Sequence, residues 1–582
     1  MKFTDRLKSA FAKESTLIWI LTLLGILIYV NCLPNEMFWD DDDFILKNVF
    51  LQDWSYFPRF FTDNVISGAH LLSNYWRPLL MTIFAVEWHL WADWVYGWHA
   101  VSILVHVTAG VVLFKALDAI FKDRNLSFLA ALVFIVHPVQ TEAVVYPNAM
   151  GDSLADIFIF LALYFYAHFR REKRPAPLSR NWWLALGMFP LALLSKETGI
   201  LIAGFVPLAD YMLQPAKDGF RKRIWNIFKA AWPFLASAAG YILLRATVLN
   251  INNSFNFYKE ANTFTTDFGV RVLTFFKVLS MYAGLLFIPY DLRVERIIDP
   301  PKTLLHPDVL WGTFLFGLLA FLAIRNWKKR PLITFGILWF FIGILPTSNL
   351  FVIINAMIYE HFLYTSLIGI FLIIIWLGLK WADTEQKRRV FWTFAILVIA
   401  CFSVRSFWRT FDWRTSIGFY EKLTETASKS YRVINNLGME YAKKGYYAQA
   451  EVMYKKAIAL DPTNAVAYHN LANLYRDQGH RTQAIELYEK AIALQESFIF
   501  SYYPLAKCYL SVGNSQKARD ILERLFLRSD DQLPVLQLLY EIAYQQKDYP
   551  AAKKYALTAL KLLPDNPNLL KTVKSLDALM GR

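Results

Sequence analysis

Four consecutive aspartates, Asp40 to Asp43, stand in the stretch "MFWDDDDFIL" of a chain that is otherwise apolar. Adjacent carboxylates raise one another's pKa values unless cations approach. A carboxylate with a raised pKa near a membrane surface is a candidate general base. Two other hypotheses fit the same residues. Their oxygens suit Ca²⁺, Mg²⁺ or Mn²⁺, and acidic residues are favoured where a helix begins.

The composition indicates a membrane protein. Of 582 residues, 56% are hydrophobic and only 19% are charged, and the chain has 20 Trp, 30 Tyr and 47 Phe. Aromatic rings of this kind collect where hydrocarbon meets lipid headgroups. The formal charge of +14 lies mostly in short loops between apolar segments, so no nucleic-acid partner is expected. The cysteines are too few and too scattered for a disulfide framework or a thiolate metal site.

Apolar runs of about twenty residues cross a bilayer as helices. Runs that fit lie near 17–33, 95–115, 126–146, 152–169, 182–195, 199–213, 229–249, 309–325, 331–347, 358–379 and 390–407. The first follows the basic N-terminus "MKFTDRLKSAFAKES" without a small-residue cleavage site, which indicates a retained signal anchor. The sequence therefore predicts about eleven crossings, starting from a cytoplasmic N-terminus.

The basic loops test this topology, because short loops rich in Lys and Arg stay in the cytoplasm. Those at 115–125, 168–181, 217–223, 325–330 and 380–389 all fall on the inner side. A twelfth crossing at 269–290 would move one of them outside, so this apolar segment is predicted to be in-plane or re-entrant. The unusual polar residues and the C-terminus then share the outer face.

The last 150 residues have a soluble composition and repeat with a period of about 34. Small residues recur at Gly438, Ala472 and Ala506 and again at Ala450, Ala484, Ala518 and Ala552. An aromatic residue recurs at Tyr441, Tyr475 and Tyr509. This pattern is typical of tetratricopeptide repeats, which stack into a concave binding surface. Candidate peptide-binding residues on the first helices are Asn435, Asn436, Asn470 and Asn473. The alternative is that these amides are ordinary solvated surface groups.

The overall prediction is an all-α chain: a polytopic helical membrane bundle followed by a C-terminal tetratricopeptide superhelix. Its boundaries are a membrane domain over 1–408 with outer loops at 31–94 and 250–308, a linker over 409–430, and four repeats plus a capping helix over 431–582.

Several stretches together resemble a known family. They are "WDDDDFILKN" (39–48), "YWRPLL" (75–80), "HPVQTEAVVYPNAMGDSLA" (137–155), "LLSKETG" (193–199), "LPTSNLF" (345–351) and "YEHFLYTSLIG" (359–369), followed by the repeats. In this order they resemble the GT-C superfamily of membrane glycosyltransferases. More narrowly, they resemble the transmembrane and tetratricopeptide-repeat-containing O-mannosyltransferases and their bacterial relatives. Nearly the whole chain is covered.

The resemblance implies transfer of a sugar, with inversion, from a polyprenyl-phosphate donor to a hydroxyl. The family's acidic pair falls on Asp40 and Asp41, while Asp42 and Asp43 cap the helix, tune its charge or bind a divalent metal. No resident cofactor is expected with certainty. Candidate donor-phosphate cations are Arg77, Lys196 and His361, with Arg293 and Arg296 less favoured. Candidate pocket residues are Glu142, Asp152, Glu197 and Glu360.

Two departures from the family pattern bear on phosphate binding. His361 stands where an Arg is common, and a His is cationic only part of the time near neutral pH. Ala149 and Met150 stand where a Gly and an Arg are common. Lys196 also has a structural alternative, as an interface anchor with an ion-pair partner of its own. His99 and His106, seven residues apart in the second predicted span, are interpreted as structural.

The leading hypothesis is a membrane hexosyltransferase, with mannose as the sugar that the resemblance suggests and protein Ser or Thr as acceptor. Its repeats would recruit the acceptor or another protein. The alternatives are a transferase that decorates an envelope glycan or lipid, an oligosaccharide ligase that uses the same kind of lipid carrier but moves a whole glycan, and a membrane-anchored scaffold without enzymatic activity. Compact loops favour a bacterial inner membrane with periplasmic repeats. In a eukaryote the repeats would face the lumen of the endoplasmic reticulum.

Overall fold

The computed structural model describes residues 13–71, 73–172, 179–214, 220–249, 262–294, 296, 298–354, 356–528, 532–564 and 566–581. Parts of the predicted basic loops (173–178 and 217–219) and of the predicted outer loop (250–261) lie outside the described residues. The chain divides into two compact units, Met1–Phe419 and Tyr420–Arg582. Each unit is helical, and each is described by itself.

The first unit follows the apolar runs of the sequence, because a backbone in lipid must satisfy its own hydrogen bonds. Its helices are α1 Glu14–Tyr29, α2 Pro78–Trp91, α3 Val95–Phe121, α4 Arg124–Val136, α5 Thr141–Val145, α6 Met150–Arg170, α7 Arg180–Ser195, α8 Ile202–Leu213, α9 Phe220–Thr247, α10 Thr263–Thr266, α11 Phe268–Phe287, α12 Pro307–Asn326, α13 Pro331–Ile344, α14 Leu367–Trp381 and α15 Glu385–Arg409. Helix α16, Ser416–Thr426, runs across the boundary between the units and lies inside the predicted linker.

Within the described residues, seven helices are long and apolar enough to cross a membrane. They are Glu14–Cys32, Val95–Phe121, Pro147–Arg170, Arg221–Thr247, Phe268–Phe287, Pro307–Asn326 and Glu385–Trp413. An eighth is the pair Arg124–Val136 and Pro138–Val145 if this pair, bent by 51°, counts as one broken span. The polytopic helical class is confirmed. The count of eleven stays a prediction, because the remaining runs form shorter apolar helices. The in-plane assignment of 269–290 also stays a prediction, because α11 is itself long and apolar enough to cross a membrane.

The chain between α4 and α6 is broken twice, and both breaks lie at prolines. Pro138 opens a short 3-10 turn after α4, and Pro147 opens another after α5. Proline lacks the amide that would continue a helix. Every residue from 137 to 149 is buried, which is the condition under which irregular backbone is tolerated at membrane depth. This segment presents backbone amides and side chains to its surroundings instead of a closed helical ladder.

The segment between α1 and α3 carries the aspartate run on a compact scaffold. Short helical turns at Asp42–Leu46, Val49–Leu51 and Trp54–Phe61 precede α2. Apolar side chains beneath them, including Ile45 and Phe60, are fully buried. The aspartates are therefore held by a packed core and not by a free loop.

The second unit consists of consecutive helix pairs in the predicted repeat frame. The pairs are α17 Tyr431–Lys443 with α18 Tyr447–Leu460, α19 Ala465–Asp477 with α20 Arg481–Leu494, α21 Tyr502–Ser511 with α22 Ser515–Phe526, and α23 Leu533–Gln545 with α24 Tyr549–Leu562, followed by α25 Pro567–Leu579. Gly445, Gly479 and Gly513 turn the first three pairs with φ of +81°, +84° and +81°, a region that glycine enters without strain. The predicted repeat fold is confirmed.

Candidate functional site

The structure separates the four aspartates into two pairs. Asp40 is exposed, and its backbone N–H donates to the Tyr146 hydroxyl at 3.1 Å. Asp41 is 1% exposed and accepts the backbone N–H of Asn148 at 3.0 Å. The first pair is therefore fixed on the broken segment between α4 and α6.

The second pair contacts a lysine. Asp42 and Asp43 lie in the first turn of a π-helix, Asp42–Leu46, and their carboxylates stand 3.5 and 3.2 Å from the Lys47 ammonium. Within the described residues, no group of three or more His, Cys, Asp or Glu side chains is arranged to hold a metal ion. The assignment of Asp40 and Asp41 to catalysis and of Asp42 and Asp43 to the helix start stays a prediction.

Directly before the aspartates, the backbone adopts a conformation that is rare for a bulky residue. Trp39 has φ of +62°, in the left-handed region that bulky side chains rarely enter. Such a conformation costs on the order of 1–3 kcal/mol and persists only where the surrounding structure enforces it. Phe44 and Ile45, both buried, anchor the turns on its C-terminal side. The strain is stored directly beside Asp40.

Burial changes the acid strength of Asp41. Loss of solvent raises its pKa well above the ordinary value, the Asn148 amide opposes that rise, and the neighbouring Asp40 charge adds to it. A raised pKa keeps Asp41 protonated over a wider pH range than a solvated aspartate. The pair thus combines a buried carboxyl with an exposed one.

Cations gather around Glu197. Arg77 Nε and Nη2 each lie 3.1 Å from Glu197 Oε2, and Arg245 Nη1 lies 3.6 Å from Oε1. Burial favours the neutral acid, but the two arginine charges outweigh it and lower the pKa of Glu197. Arg77 and Arg245 are both 7% exposed. This group therefore has one anion held between two buried cations.

Lys196 belongs to the same part of the fold but pairs elsewhere. Its ammonium lies 2.6 Å from Asp152 Oδ2. The sequence raised the alternative that Lys196 has an ion pair of its own, and its partner comes from α6 and not from the adjacent Glu197. The ion pair joins the start of α6 to the turn that follows α7.

Tyr75 connects the cation cluster to the aspartates. Burial raises the pKa of its hydroxyl, the Arg77 charge lowers it, and the Glu197 and Asp40 charges raise it. The guanidinium of Arg77 also stacks over the Tyr75 ring, 4.6 Å from its centroid. One tyrosine therefore lies within electrostatic reach of both Arg77 and Asp40.

A second charged cluster surrounds the residues predicted near position 360. His361 Nδ1 lies 2.9 Å from Glu142 Oε1, and the His361 backbone N–H donates to Oε2 at 3.3 Å. Glu360 is fully buried, and Nη2 atoms of Arg296 and Arg409 each approach it to 3.5 Å. Arg409 in turn lies 2.7 Å from Asp412. His361 therefore already pairs with the carboxylate of Glu142, and the two arginines approach the neighbouring Glu360.

Segment 142–152 links the two clusters in chain order. Glu142 meets His361, the Tyr146 hydroxyl meets the Asp40 amide, the Asn148 amide meets Asp41, and Asp152 meets Lys196. The structure brings these predicted residues to one buried stretch of backbone. Arg77 joins them through Tyr75 and Glu197.

Two arginines of these clusters were not named from sequence as site residues. Arg245 lies in the last turn of α9 and Arg409 in the last turn of α15. A signal existed for each: an arginine at the end of an apolar run, on the side that the sequence predicts to lie opposite to the basic loops. Arg293 instead pairs with Asp291, two residues earlier in the chain, at 2.5 Å.

The asparagines predicted to bind peptide have intramolecular contacts. Asn470 donates to Asn435 Oδ1 at 3.0 Å. Asn473 accepts from the Tyr488 hydroxyl at 2.5 Å and contacts His469 Nε2 at 2.9 Å. The Nδ2 atom of Asn436 lies 3.5 Å from the Tyr420 hydroxyl. A peptide would compete with these contacts, and the peptide-binding role stays a prediction.

Comparison with known proteins relates the chain to O-mannosyl-transferases. It is 25% identical over 457 residues to a protein O-mannosyl-transferase of Caenorhabditis elegans, covering 76% of this chain and 62% of the relative. It is 24% identical over 472 residues to protein O-mannosyl-transferase TMTC4 of Homo sapiens, covering 72% and 63%. It is 30% identical over 196 residues to protein O-mannosyl-transferase TMTC1 of Mus musculus, covering 32% and 21%.

The chain spans 62% and 63% of the lengths of the first two of these relatives, which is less than two thirds in each case. A family model described as "Anaphase-promoting complex, cyclosome, subunit 3" matches residues 443–525, within the predicted repeats. Among solved structures, the chain is similar to the crystal structure of MamA. The two are 26% identical with a TM-score of 0.24, and the match covers 25% of this chain and 85% of MamA. The predicted resemblance to the tetratricopeptide-containing protein O-mannosyl-transferases is confirmed.

Proposed function

We propose that the chain is an integral-membrane mannosyltransferase that moves mannose from a polyprenyl-phosphate donor to a Ser or Thr hydroxyl of a protein, with inversion. The names of its relatives, protein O-mannosyl-transferases, support the sugar and the protein acceptor. The observation that carries the proposal is the setting of Asp40. It is an exposed carboxylate held next to the buried Asp41 on the segment that also reaches Lys196.

Asp40 is the proton acceptor of the proposed reaction. A Ser or Thr hydroxyl has a pKa far above 7, so a base must take its proton as the oxygen attacks the anomeric carbon. The bond between the acceptor oxygen and that carbon forms as the bond from the carbon to the donor phosphate oxygen breaks. The electron pair of the broken bond leaves with polyprenyl phosphate, and the proton stays on Asp40. Asp41 is a positioning residue that ties the pair to the Asn148 amide.

The arginine and lysine cluster receives the leaving phosphate. Arg77, Arg245 and Lys196 bring three positive charges against the carboxylates of Glu197 and Asp152. The surplus charge favours an anion, and Glu197 holds Arg77 in a fixed orientation before substrate arrives. No general acid is required, because phosphate leaves as a stable anion.

The same proposal extends to partners and location. The enzyme lies in the bacterial inner membrane with its site on the outer face, in contact with lipid. The repeats bind the acceptor protein or a second protein that delivers it, since stacked helix pairs offer a surface for extended chains. The assignment to the GT-C superfamily is part of the proposal.

Reconstitution of the purified full chain tests the proposal. The protein in nanodiscs receives polyprenyl-phosphate mannose, polyprenyl-phosphate glucose or no donor, with Ser- and Thr-containing peptides, envelope glycan or envelope lipid as acceptors. Mass spectrometry of the acceptors is expected to find a hexose on peptide from the mannose donor alone. Transfer only to glycan or lipid overturns the protein acceptor, and absence of transfer from every donor by folded protein overturns the enzyme.

Variants of the aspartate run identify the base. Asp40→Asn is expected to lower transfer by about 10²–10⁴-fold, the range for loss of a general base. Asp43→Asn is the matched control, because its carboxylate pairs with Lys47. Wild-type transfer by Asp40→Asn would show that another group takes the proton and would favour a scaffold role for this loop.

A further inference from the structure

The aspartate run is preceded by residues that bond to a distant part of the chain. Asn35 Nδ2 donates to the Thr410 carbonyl at 3.2 Å, and these two residues stand 375 positions apart in sequence. The backbone N–H of Glu36 donates to the Arg414 carbonyl at 3.1 Å. The stretch that leads into Asp40 therefore lies along the stretch that follows α15.

The side chain of Glu36 contacts the start of helix α16. The Ser416 backbone N–H, the first of this helix, donates to Glu36 Oε2 at 3.0 Å. The Gly418 N–H finds its acceptor in Thr415 Oγ1 at 3.2 Å. The first amides of a helix lack partners within the helix, and a negative charge beside them is favoured. Glu36 thus caps α16 from a distant part of the chain, and we call this contact the Glu36 cap.

Helix α16 and the turn before it pack on the two residues that precede the aspartate run. The Phe419 ring, in the first turn of α16, has its centroid 5.0 Å from that of Phe38 and 5.9 Å from that of Trp39. Trp413 lies 6.3 Å from Trp39 and 5.5 Å from Tyr146. All of these side chains except Trp39 are buried. We call the five rings the ring cluster.

The ring cluster holds the backbone at Asp40. The Tyr146 hydroxyl accepts the Asp40 N–H at 3.1 Å. The preceding residue, Trp39, has φ of +62°, a conformation that persists only where the surrounding structure enforces it. The rings packed on Trp39 come from α16 and from the turn before it. The Glu36 cap therefore acts on Trp39, and through Trp39 on the proposed base.

No exposed residue separates Glu36 from this strained backbone. Met37 and Phe38 are 9% and 4% exposed, and Trp39 follows directly. A displacement of Glu36 therefore reaches Asp40 instead of being absorbed by a solvated, freely rotating segment.

We propose that Glu36 is a positioning residue for the transfer reaction: its carboxylate fixes α16, and α16 fixes the backbone that carries Asp40. The inference rests on the proposed function, in which Asp40 takes the acceptor proton. A general base must lie within about 2.6–3.2 Å of the hydroxyl oxygen that it deprotonates. A misplacement of about 1 Å costs on the order of 10²-fold in rate. Because the role of Glu36 is indirect, its loss affects turnover and not substrate binding.

Three substitutions at one position separate the cap from the fold. Glu36→Ala removes the acceptor of the Ser416 N–H. Glu36→Asp keeps the charge but withdraws the oxygens by one methylene, a change small enough to leave the chain folded. Glu36→Gln keeps an acceptor oxygen at the same distance. Glu425→Gln is the matched control, because Glu425 is an exposed carboxylate near the end of the same helix.

Steady-state kinetics of the full chain in nanodiscs give the first measurement. Glu36→Ala is expected to lower kcat per folded molecule about 10- to 100-fold, with the KM values for donor and acceptor within about 2-fold of wild type. Glu36→Asp lies between Glu36→Ala and wild type, whereas Glu36→Gln and Glu425→Gln keep kcat within about 3-fold of wild type. A purely structural role would lower the folded fraction and leave kcat per folded molecule unchanged.

Hydrogen exchange without substrates gives a second measurement, which needs no activity. The N–H groups of residues 41–44 donate to the carbonyls of residues 38–40, so their exchange reports on the backbone at Asp40. Glu36→Ala is expected to speed the exchange of these amides about 2- to 30-fold, the factor that loss of a helix cap is worth. Glu425→Gln is expected to exchange as wild type does.

Each other outcome has a defined meaning. Wild-type kcat in Glu36→Ala, a change in KM instead of kcat, or failure of Glu36→Gln to restore kcat overturns the positioning role. If Glu36→Ala does not fold, Glu36→Asp carries the same test. Unchanged exchange counts against the positioning of Asp40 whether or not transfer occurs. Faster exchange in Glu36→Ala, together with no transfer by wild type, counts against the proposed function alone, so the two failures are distinguishable.

Discussion

Two buried carboxylates, Asp210 and Glu360, differ in how their oxygens are used. Asp210 Oδ1 accepts from the Tyr166 hydroxyl at 2.9 Å and lies 2.7 Å from Arg170 Nε, and Oδ2 accepts from Gln214 at 2.6 Å. Glu360 is equally buried, with two arginines at 3.5 Å, yet within the described residues neither of its oxygens makes a hydrogen bond.

The difference distinguishes a charged cluster whose carboxylate oxygens all accept hydrogen bonds from one whose carboxylate oxygens could still accept them. A buried charge is stable when its lone pairs are filled, as in Asp210, which ties α6 to α8 beside the predicted cytoplasmic loop. Each cluster has a buried arginine nitrogen without a hydrogen-bond partner in the described part of the chain, Arg409 Nη2 and Arg170 Nε, so the difference lies in the carboxylate oxygens. Hydrogen bonds at catalytic sites are often long before substrate binds and shorten in the complex. By this criterion the Glu360 cluster resembles a ligand site. The Asp210 cluster, which we call the clamp, resembles a structural contact between helices.

Among the charged clusters, the largest expected effect comes from the cations around Glu197. Arg77→Met removes a buried charge that lies 3.1 Å from Glu197 and is expected to lower the transfer rate by about 10²–10³-fold, as loss of a group that stabilises developing charge does. Arg245→Met, farther away at 3.6 Å, should lose less. Steady-state kinetics in nanodiscs checks both variants. If Arg77→Met keeps the wild-type rate, the cluster does not receive the phosphate.

A smaller effect, on stability alone, is expected at the clamp. Asp210→Ala strands the Tyr166 and Gln214 donors and is expected to lower the free energy of unfolding by about 2–3 kcal/mol, the cost of leaving buried polar groups unpaired. Because the partners of Asp210 are Tyr166, Arg170 and Gln214, and the first two lie at the other end of α6 from Asp152, transfer per folded molecule should equal that of wild type. Denaturant unfolding in detergent and kinetics on the folded fraction measure the two quantities. A large loss of rate with normal stability would remove the distinction drawn between the clusters.

Local patterns in the sequence predicted the elements well. The apolar runs became helices, and the period of the small residues became helix pairs, because both depend on neighbours within a few turns. The grouping of Asp40 with Asp41 was also predicted. In each case the information lies within one short stretch of chain.

The partners of the charged groups could not be predicted in the same way. Arg77 meets Glu197 120 residues away, and His361 meets Glu142 219 residues away. Which cations surround a carboxylate depends on how the helices pack, and single-sequence periodicity does not contain that information. Arg245 and Arg409 were missed for this reason. The sequence placed Lys196 next to Glu197, whereas in the structure Lys196 pairs with Asp152.

The smallest expected effect is the pH dependence caused by Asp41. Its pKa in the folded chain is raised by burial above the ordinary 3.8, so the folded state binds the proton more tightly than the unfolded state. Stability is then fully present below pH 3.8 and falls, by at most about 1.4 kcal/mol per pH unit, as pH rises toward the folded pKa. Asp41→Asn keeps an oxygen for the Asn148 amide and carries no proton. It should unfold with a shallower pH dependence than wild type between pH 4 and 7, measured from denaturant midpoints. Equal slopes would mean that Asp41 is ionised in the folded chain, and the pair would then hold two adjacent negative charges beside the cation cluster.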